Sequence, residues 1–280
     1  MDNNIQLDYV HLGDCVGYMK NLPNNSVDLV ITDPPFNIGK KYDSYSDNLK
    51  FEEYLNWCYN WLDETIRVLK PDGSLYLFNY PENNAYLKVY LDKKLKFRRW
   101  LTWHYNTNTG HSKTNYTRTQ HSILFYTKGE KYIFNKEEVV QPYKNLTDKR
   151  IKKLLSTGKT GTGPYDVFIF NIVKNVSKQK TGHIAQLPVE LVDIFVKASS
   201  NAGQLVFDPF LGSGTTAVAA KQNNRHYLGC EKSEKYYNII NNRLLNLDRT
   251  MKEAAMQEHG KQKLVEKIKQ RTIITLSSQT

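Results

Sequence analysis

Apolar runs of strand length alternate along this 280-residue chain with stretches of helical periodicity. Buried strands are predicted at residues 9–12, 27–32, 74–78, 97–104, 121–127, 204–207 and 226–230. Apolar residues at helical spacing predict helices at residues 51–69, 85–95 and 217–221, and Pro71-Asp72-Gly73 predicts a turn after the first of them. The alternation of the two patterns predicts an α/β fold built on a parallel sheet.

The tetrad Asp33-Pro34-Pro35-Phe36 directly follows the strand predicted at residues 27–32. Proline fixes its own φ at about −65° and keeps the preceding residue extended, so the Pro34 carbonyl becomes a fixed acceptor close to the Asp33 carboxylate. These two acceptors can take both hydrogens of an exocyclic amine, and the Phe36 ring can stack on the heterocycle that carries the amine. The tetrad therefore suits a flipped adenine or cytosine, although Asp and Pro are also ordinary residues of a strand-ending turn.

A glycine-containing loop lies between the strand predicted at residues 204–207 and the helix predicted at 217–221. Glycines let the backbone approach a ligand closely, and free N–H groups at a helix start favour an anionic group. Glu231 closes the next strand, where an acid can bind ribose hydroxyls. The pattern indicates a nucleotide-type cofactor, and it fits a nicotinamide dinucleotide and S-adenosylmethionine about equally well. The candidate cofactor residues of this loop are Asp208, Phe210, Gly212, Ser213, Gly214, Thr215 and Thr216.

Together, the tetrad and the loop resemble the amino-methyltransferases that act on DNA. That family pairs a catalytic Asp/Asn/Ser-Pro-Pro-Tyr/Phe tetrad with an S-adenosylmethionine loop of the form Phe-x-Gly-x-Gly, here Phe210 to Gly214. The tetrad precedes the loop in this chain, as it does in the permuted β class of the family. The resemblance implies that Asp33, Pro34, Pro35 and Phe36 are catalytic, and that Asp33, Glu231 and the loop bind S-adenosylmethionine.

Two further segments match the same family. Asp14 follows the strand predicted at residues 9–12, where the family has an acid that binds the adenine amine of the cofactor. Residues 183–188 resemble the family's His-Pro-x-Gln-Lys-Pro segment, with Ile184 in place of the first Pro and Leu187 in place of Lys. The resemblance adds these cofactor-binding residues from the segment: His183, Gln186 and Pro188.

Composition limits the kind of partner and the kind of chemistry. The formal net charge of +11 favours a polyanionic partner. No apolar run reaches membrane-spanning length and the first residues do not resemble a signal peptide, so we predict a cytoplasmic protein without a membrane partner. The three cysteines have no metal-ligand spacing and none follows a proline, so neither a metal site nor the Pro-Cys nucleophile of cytosine-C5 methyltransferases is predicted. The four tryptophans are predicted to be core residues.

Hydrophobic periodicity weakens between residues 131 and 181, and basic residues become frequent there. Lysine combined with threonine and glycine, as at residues 156–163, can follow a phosphate backbone closely. The resemblance places the family's target-recognition segment in this region, and a solvated surface insertion is the alternative. The candidate DNA-binding residues are Lys144, Lys149, Arg150, Lys152, Lys153 and Lys159, with Lys113 and Arg118 from a polar loop at residues 106–119.

The resemblance implies a Rossmann-like, doubly wound α/β methyltransferase sheet that is circularly permuted and carries a small inserted target-recognition region. Its predicted parts are a catalytic half at residues 1–130, the insertion at 131–181, a cofactor half at 182–248, and a polar helix and tail at 249–280.

The activity implied by the resemblance is site-specific methylation of double-stranded DNA at adenine N6, with S-adenosylmethionine as cofactor. Adenine is favoured because Asp at the first tetrad position is the usual adenine form in the family. The implied context is a restriction-modification system, with a cognate restriction endonuclease as partner and a homodimer as assembly. Cytosine N4 is the alternative target, and a nicotinamide-dependent oxidoreductase or a DNA-binding protein without catalysis is a more distant alternative.

Overall fold

An eight-stranded sheet forms the centre of the residues that this computed structural model describes, namely 5–40, 47–105, 112–173, 180–181 and 186–253. Its strands are β1 (Tyr9–Leu12), β2 (Val27–Thr32), β3 (Leu69–Asn79), β4 (Lys96–His104), β5 (Gln120–Thr127), β8 (Val167–Ile169), β9 (Leu205–Asp208) and β10 (His226–Glu231). A separate short ladder joins β6 (Gln141–Pro142) and β7 (Gly161–Thr162). The helices are α1 (Cys15–Met19), α2 (Phe51–Val68), α3 (Pro81–Leu91), α4 (Lys149–Ser156), α5 (Val189–Ser199), α6 (Thr215–Gln222) and α7 (234–253).

The strands of the large sheet lie in the order β1-β10-β9-β2-β3-β5-β4-β8. Five neighbouring strands are parallel, as the sequence predicts: β1, β10, β9, β2 and β3. The prediction of a parallel sheet is wrong for β5, which runs antiparallel to both β3 and β4. No crossover helix is present among the described residues between β4 and β5, and a direct connection favours antiparallel pairing.

The first described strand in chain order, β1, pairs with the last, β10. Tyr9 of β1 lies opposite Leu228 of β10, and Leu29 of β2 lies opposite Val206 of β9. Strands from the two ends of the chain are therefore interleaved. This arrangement places the predicted catalytic strand β2 directly beside the predicted cofactor strand β9.

Helices cover both faces of the sheet. On one face, α1, α2 and α3 bury their apolar sides in a core that includes Met19, Trp61 and Leu75. On the other face, the Tyr76 ring of β3 stacks on Phe195 of α5, with 4.5 Å between ring centroids. Because neighbouring residues of a strand point to opposite faces, β3 contributes to both layers. The doubly wound α/β architecture is confirmed.

Two predicted element boundaries are wrong. The turn expected at residues 71–73 lies within β3, because Leu69 pairs with Val27 and Ser74 pairs with Leu29, so the intervening residues bulge without ending the strand. The helix expected at residues 85–95 is α3, which starts four residues earlier at Pro81 and ends at Leu91. Proline suits the first turn of a helix, because its missing N–H would have no intrahelical partner there.

The chain divides into two compact units, Met1–Ile239 and Ile240–Thr280. Every cavity residue discussed below belongs to the first unit. None of the helices in the described part of the chain is long and apolar enough to cross a membrane.

Candidate active site

Acidic residues stand at the carboxyl ends of four neighbouring parallel strands. Asp14 follows β1, Glu231 ends β10, Asp208 ends β9 and Asp33 follows β2. The carboxyl ends of parallel strands are the usual ligand-binding edge of an open α/β sheet. All four acids line a single cavity of about 580 Å³. The same cavity is lined by the predicted site residues Pro34, Pro35, Phe36, Gln186, Phe210, Gly212, Ser213, Thr215 and Thr216.

The backbone of the tetrad is held by side chains from two helices. The Tyr54 hydroxyl of α2 donates a hydrogen bond of 3.0 Å to the Pro35 carbonyl, and Asn83 Nδ2 of α3 donates one of 2.8 Å to the Phe36 carbonyl. The hydroxyl of Tyr54 is itself fixed by Asn79 Nδ2 at 2.9 Å. These bonds, together with the two prolines, give the tetrad a defined shape before any ligand binds.

Asp33 has one buried oxygen with no hydrogen-bond partner among the described residues, Oδ1. Burial raises the pKa of Asp33 to about 7, and the negative charge of Asp208 adds to this while the positive charge of Lys40 opposes it. A buried acceptor without a partner costs about 1–3 kcal/mol. The arrangement therefore favours a ligand that brings hydrogen-bond donors to Oδ1.

The loop after the tetrad is closed by Asp47, a buried carboxylate. Its oxygens accept hydrogen bonds from the backbone N–H groups of Asn37 at 2.8 Å, Ile38 at 3.1 Å and Lys40 at 3.1 Å. Lys40 lines the cavity, and its charge acts on Asp33. Asp47 therefore fixes the backbone that carries the cation nearest to the tetrad in sequence.

Glu231 connects the end of β10 to the glycine loop. Its Oε2 accepts the backbone N–H of Gly212 at 2.9 Å, and its Oε1 accepts that of Ser233 at 2.7 Å. Burial raises the pKa of Glu231 to about 7. Gly212 has φ +55° and Gly214 has φ +82°, a left-handed conformation that glycine adopts without steric cost. The loop geometry thus depends on both glycines and on the Glu231 carboxylate.

Two other cavity acids also have partners within the protein. Asp208 accepts the Thr216 hydroxyl at 2.8 Å and the Phe210 backbone N–H at 3.0 Å, and burial raises its pKa to about 6. Asp14 caps α1 by accepting the Gly17 N–H at 2.8 Å. These carboxylates shape the loops on which they lie, while they also face the cavity.

Of the segment at residues 183–188 that was predicted to bind the cofactor, the structure describes residues 186–188, and Gln186 and Leu187 line the cavity. Gln186 lines the cavity, and its Oε1 accepts hydrogen bonds from the Thr181 hydroxyl at 2.9 Å and the Thr181 N–H at 3.1 Å. Pro188 and Gly214 are the N-caps of α5 and α6, and neither is among the residues lining the cavity. His183 lies outside the described residues.

The predicted DNA-binding residues are mostly exposed. Lys149, Arg150, Lys152 and Lys153 lie on α4, whose residues Ile151 and Leu154 are its least exposed positions, and Lys113, Lys144 and Lys159 are also exposed. Arg150 forms an ion pair of 3.0 Å with Asp148. Arg118 differs from the others in being only partly exposed. It forms an ion pair of 2.6 Å with Glu82, and its guanidinium lies 4.0 Å from the Tyr80 ring centroid.

Several cavity residues were not predicted from the sequence. Trp57 and Trp103 were expected to be ordinary core residues, yet both line the cavity, and His121 and Lys40 line it as well. Trp57 contacts the Phe210 ring, with 5.4 Å between centroids. The position of Lys40, four residues after the tetrad in a polar stretch, could have indicated that it lies near the site. No local motif identifies His121, which reaches the site through sheet pairing.

The fold and the cavity define a class: an α/β enzyme with a nucleotide-type cofactor loop beside a rigid acceptor pair and an aromatic ring. A family model of DNA methylases that modify N6 or N4 positions matches residues 27–242. The chain belongs to this DNA methylase family. The family membership excludes a nicotinamide-dependent oxidoreductase.

Individual relatives agree with this assignment. The chain is 34% identical over 254 residues to the Type II methyltransferase M1.MboII of Moraxella bovis, covering 85% of this chain and 96% of that protein. It is 31% identical over 232 residues to the DNA adenine methyltransferase YhdJ of Escherichia coli strain K12, covering 80% of this chain and 78% of that protein.

Solved structures share the fold. The M1.HpyAVI–SAM complex matches with a TM-score of 0.62 at 20% identity, over 84% of this chain and 98% of that chain. The PvuII DNA methyltransferase, described as cytosine-N4-specific, matches with a TM-score of 0.64 at 18% identity, over 83% of this chain and 84% of that chain. The Rossmann-like methyltransferase fold predicted from the sequence is therefore confirmed.

Proposed function

We propose that this DNA methylase transfers a methyl group from S-adenosylmethionine to the N6 amine of an adenine flipped out of double-stranded DNA. The observation that carries the proposal is Asp33 Oδ1, which has no hydrogen-bond partner among the residues described and lies in the same cavity as Phe36 and the glycine loop. A target amine is paired within the duplex, so the base must leave the stack, at a cost of a few kcal/mol. Stacking on Phe36 offsets about 1–3 kcal/mol of that cost.

The cavity residues fit S-adenosylmethionine. Gly212 and Gly214 adopt left-handed backbone conformations and carry no side chain where the loop turns into α6. Glu231 would bind the ribose hydroxyls, Asp14 the adenine amine, and the loop from Asp208 to Thr216 the methionine end. S-adenosylmethionine, when bound, supplies an electrophilic methyl group.

The tetrad would prepare the amine for attack. The amine is a poor nucleophile because its lone pair is delocalised into the ring. Asp33 Oδ1 and the Pro34 carbonyl would each accept one amine hydrogen, which favours a pyramidal nitrogen with a localised lone pair. As the amine nitrogen gains the methyl group, the methyl–sulfur bond would break and its electron pair would stay on sulfur. The methylated nitrogen would then be positively charged and release a proton, for which Asp33 is an adjacent acceptor. This differential stabilisation of the transition state needs no covalent enzyme intermediate.

Adenine rather than cytosine is supported by Asp33 at the first tetrad position and by the similarity to YhdJ, a DNA adenine methyltransferase. The PvuII enzyme, which has the same fold, is described as cytosine-N4-specific, so cytosine N4 is the second candidate. Expression in a host without DNA methylation, followed by mass spectrometry of the digested DNA, tests the proposal. N6-methyladenine is expected, and N4-methylcytosine would overturn the choice of base. Sequencing of the modified DNA gives the recognition site.

Methyl transfer is expected to increase with pH through about 7, because Asp33 must be ionised to accept amine hydrogens and burial keeps its carboxyl protonated below that value. The measurement is kcat/KM between about pH 5.5 and 8.5. The Asp33→Asn variant is the control, since it has no ionisable group at this position, and its residual rate should depend less steeply on pH. Any dependence that it keeps belongs to other cavity acids such as Glu231 and Asp208. Identical profiles for the two proteins would contradict the role of Asp33.

Replacing Lys152, Lys153 and Lys159 with glutamine is expected to weaken DNA binding for every sequence, because phosphate contacts do not distinguish bases. The slope of log K against log salt should fall by about one unit for each phosphate contact that is lost. The matched control replaces the exposed Lys20, Lys93 and Arg99 with glutamine, which removes the same charge outside residues 131–181. Equal effects of the two triple variants on DNA affinity and on its salt dependence would favour the alternative that residues 131–181 are a solvated surface insertion.

We also propose that the enzyme acts in a restriction-modification system, with a cognate restriction endonuclease and as a homodimer. The Type II description of M1.MboII supports this context. Light scattering of the purified protein at increasing concentration tests the dimer. Protection of plasmids in cells that express an endonuclease with the mapped site tests the pairing.

A further inference from the structure

His121 lies in β5 among four aromatic rings. Its ring centroid is 5.4 Å from that of Phe36, 5.3 Å from Tyr80, 5.0 Å from Trp103 and 5.6 Å from Tyr105. We call these four residues the aromatic box. Of the box residues, Phe36 and Trp103 line the cavity together with His121, whereas Tyr80 and Tyr105 are not among the lining residues. The imidazole therefore faces the cavity while it packs against the four rings of the aromatic box.

The imidazole has an unused hydrogen-bonding group. His121 Nδ1 is buried and has no hydrogen-bond partner among the described residues. Burial lowers the pKa of His121 to about 3, and the charges of Lys40 and Arg118 act in the same direction. The ring is thus neutral near pH 7, with one nitrogen as donor and the other as acceptor. A neutral ring can contact a base without bringing a buried charge.

Asp33 Oδ1 and His121 Nδ1 are thus both buried polar atoms without a hydrogen-bond partner in the part of the chain that the structure describes. The first accepts hydrogens, and the second donates one if the proton is on Nδ1. An amino-bearing base presents the complementary pattern, because its exocyclic amine donates and the ring nitrogen beside that amine accepts. In guanine and thymine an oxygen replaces this amine, so the contact with Asp33 would fail. Guanine N1 and thymine N3 carry a hydrogen and could not accept from His121, whereas guanine N7 still could, so rejection of guanine would rest on Asp33 if the contact is at N7.

We propose that His121 is a base-contacting residue that donates a hydrogen bond from Nδ1 to a ring nitrogen adjacent to the exocyclic amine, N1 or N7 of adenine. This inference rests on the proposed function and deepens it. His121 would select amino-bearing bases together with Asp33. It would also orient the amine towards the acceptors of the tetrad.

The competing explanation is that His121 only fills the aromatic box. His121→Phe separates the two explanations, because it keeps an aromatic ring and removes the hydrogen-bonding nitrogens. His121→Gln restores an N–H donor without the ring. Tyr105→Phe is the matched control, because it changes a hydroxyl on a box residue behind the cavity lining and keeps the ring. Thermal melting and S-adenosylmethionine binding of each variant establish that the fold is retained.

The experiment measures kcat/KM on duplexes in which the target base is adenine, 1-deazaadenine or 7-deazaadenine. On adenine, His121→Phe should lose about tenfold or more, His121→Gln should recover part of that loss, and Tyr105→Phe should stay within about twofold of wild type. On the analogue that lacks the contacted nitrogen, wild type and His121→Phe should have equal rates. Comparing ratios between proteins cancels the intrinsic reactivity of each analogue.

Two results would overturn the inference: His121→Phe within about twofold of wild type on adenine, or the same loss on adenine and on both analogues. If His121→Phe does not fold, the comparison uses wild type and His121→Gln. The inference then requires that the ratio of their kcat/KM values differ between 1-deazaadenine and 7-deazaadenine. A wild-type enzyme that methylates no adenine would disprove the proposed function itself, which distinguishes that failure from a failure of His121.

Discussion

Replacing Asp33 with alanine is expected to reduce methyl transfer about 100-fold or more while DNA and S-adenosylmethionine still bind. The substitution removes Oδ1, which has no hydrogen-bond partner in the described part of the chain and which we propose as the acceptor of one amine hydrogen. It leaves the backbone bonds from Tyr54 and Asn83 in place, so the tetrad keeps its shape. Single-turnover methylation of a duplex containing the mapped site measures the effect.

Asp33→Asn is the companion variant, because it keeps the size of the side chain and one acceptor oxygen but removes the charge. Its rate should lie between those of wild type and Asp33→Ala. Calorimetry with S-adenosylmethionine and a gel-shift titration with DNA check that binding is retained. An alanine variant with more than about a tenth of the wild-type rate would show that Asp33 contributes less than about 1.4 kcal/mol and is not the acceptor we propose.

Replacing Glu231 with alanine is expected to raise the dissociation constant for S-adenosylmethionine about 10- to 100-fold, equivalent to about 1.4–2.8 kcal/mol. Glu231 would bind the ribose hydroxyls, and its carboxylate also accepts the backbone N–H groups of Gly212 and Ser233. The variant therefore loses a ligand contact and loosens the glycine loop. Isothermal titration calorimetry measures the change.

Glu231→Gln separates these two effects. Glutamine keeps one acceptor for the loop and replaces the other oxygen with an amide donor, so an intermediate affinity is expected. The Asp8→Ala variant changes an acid at the amino-terminal side of β1, away from the cavity lining, and should bind S-adenosylmethionine like wild type. Unchanged affinity in Glu231→Ala would remove Glu231 from the cofactor site.

The parts of the fold that the sequence predicts best are those with short-range causes. The strand at residues 27–32 is buried throughout, so its mostly apolar sequence matches its two covered faces. Asp28 is an exception, and its buried carboxylate pairs with Lys70 at 2.7 Å. The tetrad and the glycine loop follow strands that are adjacent in the sheet, which brings the predicted acids into one cavity. Prolines and glycines specify local backbone geometry, and this local information is visible in the sequence.

The features that sequence analysis missed depend on distant partners. His121 enters the site because β5 pairs with both β3 and β4, and nothing near residue 121 encodes that pairing. Trp103 is almost completely buried, as a core residue would be, yet it also lines the cavity. The turn at residues 71–73 was wrong because pairing with β2 continues on both sides of the bulge. Tertiary contacts, rather than local propensity, decide these positions.

The pairing of β1 with β10 has a consequence for the order in which the protein acquires its activity. Asp14 follows a strand that is synthesised early, whereas the strand that pairs with it ends at Glu231. Domains fold during synthesis as their segments become available, and contacts between distant segments are slow to form. The cofactor site that we propose therefore cannot be complete until residue 231 has left the ribosome. Until then, the edges of β1 and β2 that await β10 and β9 remain unpaired and are open to incorrect association.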